Sequence, residues 1–371
     1  MAQTAAHLVD HVIPHVTVRQ WVLSLPIPLR LLLAAQPKLV TPVLQVVHRA
    51  IARFLLDQAG LKAEQADSGA VTLIQRFGSA ANLNIHLHCL VLDGVYRCDT
   101  EGESVFVEVP APTDEGLQAV LHKIITRMMK LLTRRGVLVE EQGQTYMPDD
   151  DADSDEARTL RPLQGAMPRD ADFKQTLCAD IDGLSLHAAV RCGADDRLAL
   201  ERLCRYITRP ALANERARTN AAGQVVLKLK TAWRDGTMHL VMSPLEFMQR
   251  LAALVPRSRL HLIRFHGVLA PNAKLRAQVV PQEREPPVQA APTAECEATC
   301  AHHRPVRLSW ARLLKRVFEI DLEHCPNCGG ELKIIAAILE QPLIEKIFTH
   351  LGLQARAPPR APARGSQLQA A

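Results

Sequence analysis

The sequence has no run of 18 or more uninterrupted apolar residues, so it predicts no transmembrane helix. Its first 16 residues lack a basic start followed by an apolar core, so we expect no secretory signal. The nine cysteines are odd in number and scattered. Without an export signal, this excludes a disulfide framework and indicates reduced cytosolic thiols, some of which are candidate metal ligands.

The chain also has little excess charge. Hydrophobic residues make up 47% and charged residues 22%, which are ordinary values for a soluble globular protein. The net charge of +5 and the isoelectric point of about 8.8 permit nucleic-acid binding but do not by themselves indicate it. The length of 371 residues suits two or three domains.

Apolar spacing, turn residues and capping residues predict an α+β fold with a central antiparallel sheet and flanking helices. Three strands in succession, 70–77, 84–92 and 105–109, predict a meander with the second near its middle. The other predicted strands are 16–25, 183–191, 224–230, 238–242 and 259–265, and the predicted helices are 38–59, 114–135, 196–208 and 243–254.

Two histidines, His86 and His88, lie in the predicted strand 84–92 with one leucine between them. Alternate residues of a strand share a face, so both imidazoles project the same way, about 7 Å apart along the backbone. Such a pair can bind one divalent metal ion, or it is an incidental feature of a histidine-containing strand.

Tyr206 is one of only three tyrosines and lies on a predicted helix rich in arginine. Arg202 and Arg209 are four residues before it and three after it, so they are its neighbours on the helix surface, and Arg205 is adjacent in sequence. Guanidinium groups match phosphate oxygens, and positive charge favours the phenolate, so this phenol could attack a phosphodiester. Alternatively, it is an aromatic residue packed on an amphipathic helix.

These features together lead to a family resemblance. The chain resembles the HUH (His-hydrophobic-His) rolling-circle transposases, closest to those of insertion-sequence family ninety-one. The resemblance covers nearly all of residues 16–275 and is carried by four segments: RQWVLSLP (19–26), QRFGSAANLNIHLHCLVLDGVY (75–96), LCRYITRPALANER (203–216) and LIRFHGVLAPN (262–272).

The resemblance implies a bacterial, nucleoid-associated enzyme that cleaves single-stranded DNA at transposon ends and transfers the strand to target DNA. It implies Mg²⁺ or Mn²⁺ on His86 and His88, with Tyr206 as the nucleophile that forms a 5′-phosphotyrosine. Such sites add a third polar ligand, for which His187 is the candidate and His266 a weaker option. We expect Arg202, Arg205 and Arg209 to position phosphates, and Lys228, Lys230 and Arg234 to extend the DNA track.

The chain departs from the family pattern in three ways. Arg202 stands where many members have a second tyrosine, so this chain resembles a single-tyrosine variant. Many relatives start with a cysteine-rich zinc ribbon that precedes the segment where this chain begins. The stretch between Arg161 and Asp170 is shorter than in relatives. A catalytically inactive DNA-binding remnant, or a zinc-module regulator of transposon ends, is therefore the alternative; a small-molecule hydrolase ranks last.

The predicted organisation is a transposase domain over 1–280, a Pro-rich linker over 281–295, a zinc-binding module over 296–353 and a disordered tail over 354–371. In the module, Cys325 and Cys328 have zinc-knuckle spacing and are followed by two glycines. Cys296 and Cys300 are the expected partners, with His302, His303 and His324 as alternatives. A redox motif and unligated cysteines are the competing interpretations. We expect no membrane partner; the sequence leaves self-association open.

Overall fold

A computed structural model describes residues 1–98, 102–141, 144–147, 161–162, 176–233, 235–256, 258, 260–282, 308–333, 338, 340–350 and 352. The chain divides into two compact units, residues 3–286 and residues 287–371. The first contains the histidine pair and Tyr206, and the second contains Cys325 and Cys328.

In the first unit the helices are α1 (Ala2–His11), α2 (Ile27–Ala35), α3 (Val40–Gln58), α4 (Asp114–Arg134), α5 (Arg197–Ile207), α6 (Pro244–Leu254) and α7 (Arg276–Val279). Its strands are β1 (Val18–Ser24), β2 (Ala66–Asp67), β3 (Gly69–Phe77), β4 (Leu83–Leu92), β5 (Gly94–Cys98), β6 (Ser104–Glu108), β7 (Val139–Glu141), β8 (Gln144–Met147), β9 (Arg161–Pro162), β10 (Cys178–Ile181), β11 (Leu184–His187), β12 (Arg191–Cys192), β13 (Ala217–Thr219), β14 (Val225–Lys228), β15 (His239–Met242) and β16 (Ile263–Gly267). The second unit has α8 (Trp310–Phe318) and α9 (Gln341–His350).

The main sheet is antiparallel, as the sequence predicts. Its strand order is β10-β11-β1-β4-β3-β16, and β12 pairs with one end of β1. The strand that carries the two histidines, β4, therefore lies between β1 and β3. Helices on both faces bury these central strands: β3 is buried up to Arg76, and β4 is buried from Leu87 onward.

Helices cover both faces of this sheet. Ile85, Leu87 and Cys89 face a large core formed with α2, α3 and α4. The alternate residues of β4 and its neighbours, including Leu73 and Leu90, face a second core formed with α1 and α5. The histidine pair belongs to this second face, because His86 and His88 alternate with Ile85 and Leu87 along the strand.

Capping residues fix the helix starts that the sequence predicts. The Asp196 side chain accepts a hydrogen bond from the Ala199 amide, 2.9 Å away, and so begins α5. Ser243 caps α6 in the same way, with Pro244 at its first position. The predicted helices 38–59 and 114–135 are confirmed as α3 and α4.

The predicted meander of β3, β4 and a third strand is wrong. After β4 the chain leaves the sheet, and β5 pairs with β6 and β2 in a separate small sheet. Asp93 lies between β4 and β5 and is 1% exposed. Its carboxylate accepts hydrogen bonds from Arg19 and Arg191, which hold the start of β5 in place. The vacant side of β4 is filled by β1, a pairing between strands distant in sequence.

Two further boundaries differ from the sequence prediction. The Pro26–Pro28 segment does not only end β1; it also begins α2, because proline fits the first turn of a helix. The strand predicted over 259–265 begins at Ile263 and continues to Gly267.

The helical segment Pro37–Gln58 is long and apolar enough to cross a membrane, with a mean hydropathy of 1.4. Within the protein, 56% of its most apolar window is buried. Its apolar residues, including Val43, Val47 and Ile51, pack in the core shared with α4 and the sheet. The segment thus has the burial of a core helix.

Candidate active site

His86 and His88 lie side by side on the α5 face of the main sheet. Their ring centres are 4.8 Å apart, with the ring planes at 65°. Their cross-strand neighbours on one side are Ser24 and Val22 of β1, and on the other side Gln75 and Leu73 of β3. The prediction that both imidazoles share one face is confirmed by this register.

The hydrogen bond of His86 sets its tautomer. Its Nδ1 lies 3.0 Å from the backbone carbonyl oxygen of Asn84, which can only accept, so Nδ1 donates. In the neutral ring, Nε2 then carries a free lone pair. Burial lowers the pKa of His86, the hydrogen bond to Asn84 opposes this shift, and Arg30 and Arg209 add to it.

His88 is only 6% exposed, and its Nδ1 lies 2.8 Å from the side-chain amide nitrogen of Gln20 on β1. Burial, the neighbouring His86 and Arg209 lower the pKa of His88 to about 3, so the ring is neutral at physiological pH. Its Nε2 is buried without a protein hydrogen-bond partner. A half-turn of the Gln20 amide would place an oxygen opposite Nδ1, and the Nε2 lone pair would then be free to bind a metal.

The pair therefore suits a divalent metal ion, since two adjacent neutral imidazoles can each present Nε2. Across the part of the chain that the structure describes, no three His, Cys, Asp or Glu side chains are grouped so that they could hold a metal. His187 shares the histidine face but lies one strand beyond Val22, about 10 Å from His88 between backbones. It is not gathered with the pair and stays a candidate only.

His266 is on the wrong face to be a third ligand. It pairs with Ala70 of β3, which in turn pairs with Val91 of β4. Val91 alternates with the histidine positions, so His266 faces α3 on the other side of the sheet, where its ring stacks on that of His48. We therefore discard this weaker option.

Tyr206 is carried by α5, which packs on the same face as the histidine pair. Leu200, Leu203, Cys204 and Ile207 form the buried side of α5 and contact the core that includes Leu73 and Leu90. The Gln75 side chain, directly opposite His86 on β3, donates a hydrogen bond of 3.2 Å to the carbonyl oxygen of Ile207. The end of α5 is thus fixed to the histidine region of the sheet.

Two cationic side chains lie against the ring of Tyr206, a residue that is 46% exposed. The Arg209 guanidinium carbon lies 4.4 Å from the ring centre, and the Lys230 ammonium nitrogen lies 5.1 Å from it. The charge of Arg209 also acts on the pKa of both His86 and His88. Arg209 is therefore close to the tyrosine and to the histidine pair at once.

The remaining residues of the predicted DNA track have different surroundings. Arg202 and Lys228 are exposed, as a phosphate contact requires. Arg205 is less available to a phosphate, because it forms an ion pair of 3.4 Å with the buried Glu201 one turn earlier. Arg234 lies outside the described residues.

In the second unit, Cys325 and Cys328 lie in a closed turn. The amide of Gly329 donates to the Cys325 carbonyl, and the amide of Cys325 donates to the Gly330 carbonyl. Gly329 has a φ of +70°, a conformation that favours glycine. The backbone amides of Asn327 and Cys328 lower the pKa of the Cys325 thiol. Cys296 and Cys300, the expected partners, lie outside the described residues.

Sequence reasoning missed the roles of Gln20 and Gln75. Both are buried polar residues in apolar strands, and that mismatch is the signal that could have drawn attention to them. Their partners, His88 and Ile207, are 68 and 132 residues away, so spacing along the chain could not have identified the contacts.

An antiparallel sheet with a histidine pair, faced by a tyrosine-bearing helix with basic residues, is the arrangement expected of a DNA-processing enzyme. The comparison with protein families agrees. The chain belongs to the family Y2_Tnp, described as "Putative transposase", whose model matches residues 69–276, more than half of the chain. The match spans His86, His88, Tyr206 and Lys230. No curated protein and no solved structure matches the chain.

Proposed function

We propose that this transposase cleaves single-stranded DNA at transposon ends and transfers the cut strand through a 5′-phosphotyrosine. The observation that supports this proposal best is the common location of the histidine pair and the tyrosine helix. Both are on one face of the sheet, and Arg209 is close to both. A non-catalytic DNA-binding protein would not require that juxtaposition.

The reaction follows from the chemistry of these groups. The phenolic oxygen of Tyr206 attacks the phosphorus of the scissile phosphodiester, and the bond to the 3′-oxygen breaks. The 5′ end stays covalently attached to the protein, and the 3′-hydroxyl is released. Attack on the phosphotyrosine by the 3′-hydroxyl of another strand reverses the chemistry and completes strand transfer.

The neighbouring side chains have distinct tasks. Arg209, and Arg202 one turn before the tyrosine, position the phosphate and offset its negative charge. His86 and His88 would hold a Mg²⁺ or Mn²⁺ ion, which when bound draws charge from the phosphate oxygen as a Lewis acid. In the second unit, Cys325 and Cys328 would hold Zn²⁺ together with Cys296 and Cys300.

Replacing Tyr206 with phenylalanine tests the proposal. We expect Tyr206→Phe to abolish covalent attachment to a labelled single-stranded transposon end, because the attacking oxygen is lost. Binding of the same DNA should survive, because the ring and the surrounding cations remain. The measurement is an SDS-resistant adduct on a gel, with DNA binding followed by fluorescence anisotropy.

Tyr96 offers a matched control. It is 6% exposed, and its ring packs against Phe106 on the small sheet outside the site. Tyr96→Phe should leave adduct formation within about twofold of the wild type. An adduct that persists in Tyr206→Phe would reject the nucleophile assignment, and no adduct from the wild type would favour the inactive DNA-binding remnant.

A further inference from the structure

Lys230 comes from a different part of the chain than Tyr206, yet contacts it. The lysine follows β14, in the hairpin that joins β14 to β15. The hairpin pairing continues past the strand end, because the amide of Leu229 donates to the carbonyl of Met238 at 2.8 Å. Leu229 is buried, so the backbone on which Lys230 stands is fixed.

The hairpin is also attached to the sheet that carries the histidines. Leu227 and Met242 pack in a small core with Ala81 of the turn between β3 and β4. Arg216 connects the two parts: it donates to the carbonyl of Lys228 in the hairpin and to the carbonyl of Ser79 in that turn. The position of Lys230 is therefore fixed with respect to β4.

The Lys230 amine lies against the ring of Tyr206. Its nitrogen is 5.1 Å from the centre of the ring, and the neighbouring tyrosine acts on the pKa of the amine. Desolvation and the neighbouring cations Arg209 and Arg216 lower the pKa of Lys230, while Tyr206 opposes this shift. The surroundings thus favour the neutral amine more than those of an isolated surface lysine would.

We propose that Lys230 is a catalytic residue that takes the phenolic proton of Tyr206 as the tyrosine attacks DNA. The neutral amine accepts the proton while the phenolic oxygen bonds to phosphorus and the 3′-oxygen leaves with the electron pair of the broken bond and takes a proton from water. In the reverse step, the attacking 3′-hydroxyl gives its proton to water, and the ammonium returns its proton to the departing phenolic oxygen. This assignment rests on the proposed function and replaces the role of Lys230 as a simple phosphate contact.

Arginine at this position separates the two roles. Lys230→Arg keeps the positive charge and can still contact phosphate, but a guanidinium does not lose its proton. We expect Lys230→Arg to slow adduct formation about 100-fold or more, the usual range for loss of a general base, with DNA affinity nearly unchanged. The wild-type rate should rise with pH as the amine loses its proton, and this rise should be absent in Lys230→Arg.

Chemical rescue gives a second measurement. Lys230→Ala should also be slow, and added ethylamine should restore part of its rate, because a small amine can occupy the open space that the side chain leaves beside Tyr206. Lys123→Ala removes an exposed lysine on α4, on the opposite face of the sheet, and should leave rate and pH profile unchanged.

Three outcomes would count against the assignment or its basis. A Lys230→Arg variant as fast as the wild type would overturn it, since charge alone would then suffice. So would a slow Lys230→Ala variant that ethylamine does not rescue, together with an unchanged pH profile in Lys230→Arg. A wild-type protein that forms no adduct would instead refute the proposed function itself.

Discussion

The metal site that we propose at the two histidines would have no charged protein ligand. The pair offers neutral nitrogen atoms, and Gln20 and Gln75 are the amides nearest to them on the neighbouring strands. Arg30 and Arg209 are close enough to lower the pKa of His86, so their charges also oppose a bound cation. We infer that such a site binds its metal best when a DNA phosphate supplies negative charge.

Metal removal tests this inference. EDTA should stop adduct formation, and Mg²⁺ or Mn²⁺ added in excess should restore it. Calorimetric titration should show tighter Mn²⁺ binding in the presence of a non-cleavable single strand than in its absence. The His86→Ala/His88→Ala double variant should bind the DNA but stay inactive with either ion. Undiminished cleavage in EDTA would contradict the metal assignment.

At single residues, the sequence predicts those contacts that form between residues close together along the chain. The spacing of His86 and His88 fixes their common face, and Arg209 lies beside Tyr206 as its position three residues later indicates. The hydrogen bond of Gln20 to His88 and the contact of Lys230 with Tyr206 join residues far apart in sequence. No local pattern encodes those contacts, because they arise from strand order and helix packing.

At the level of elements, a polar cluster lies between α3 and the sheet. His48 of α3 stacks on His266 of β16, with the ring centres 3.4 Å apart. The Thr72 hydroxyl donates to the sulfur of Cys89, so it accepts from Nε2 of His48 at 2.6 Å. Burial lowers the pKa of both histidines, that of His266 to about 4 with a contribution from Arg264. Both rings are therefore neutral in the folded protein.

This cluster should make the fold sensitive to acid. The unfolded chain binds protons at these histidines as pH falls below about 6.5, whereas the folded chain resists protonation until about pH 4 at His266. Stability is therefore complete above pH 6.5 and is lost as pH falls toward 4, by about 3 kcal/mol for His266 as an upper estimate. Urea denaturation at a series of pH values measures this loss.

His266→Phe keeps a ring against His48 but removes the titratable group. The loss of stability between pH 6.5 and 4 should be smaller in this variant than in the wild type. His122→Gln, at an exposed position on α4, should leave the loss unchanged. If His266→Phe and the wild type lose stability in parallel over this range, the buried pair is not the source of acid sensitivity.

Elements with strong caps and clear periodicity are predictable, and their pairing is not. From sequence alone, Asp195 or Asp196 marks the start of α5 and Ser243 marks that of α6, and the structure selects Asp196. The position of β1 between β4 and β11, by contrast, depends on which apolar strand best covers the side of β4 that β5 leaves open. This pairing depends on the packing of the whole sheet, which local sequence does not report. Sequence reasoning therefore predicts a meander of consecutive strands instead.

For the whole molecule, the small net charge of +5 conceals an uneven arrangement. Arg209, Arg216 and Lys230 act on one another electrostatically beside Tyr206, and Arg202 and Lys228 are exposed on α5 and β14. The local concentration of basic residues, rather than the total charge, is therefore what should attract a DNA strand.

The salt dependence of binding should report this arrangement. Each phosphate neutralised on a single strand contributes about 0.7 to the slope of log affinity against log salt concentration. Arg202→Gln should reduce the slope by about that amount. Arg205→Gln should reduce it less, because Arg205 is already paired with Glu201. Arg127→Gln changes an exposed residue of α4, which packs on the other face of the sheet, and should leave the slope unchanged. If all three substitutions reduced the slope equally, DNA would be bound by basic residues spread over the whole surface, and not by those around Tyr206.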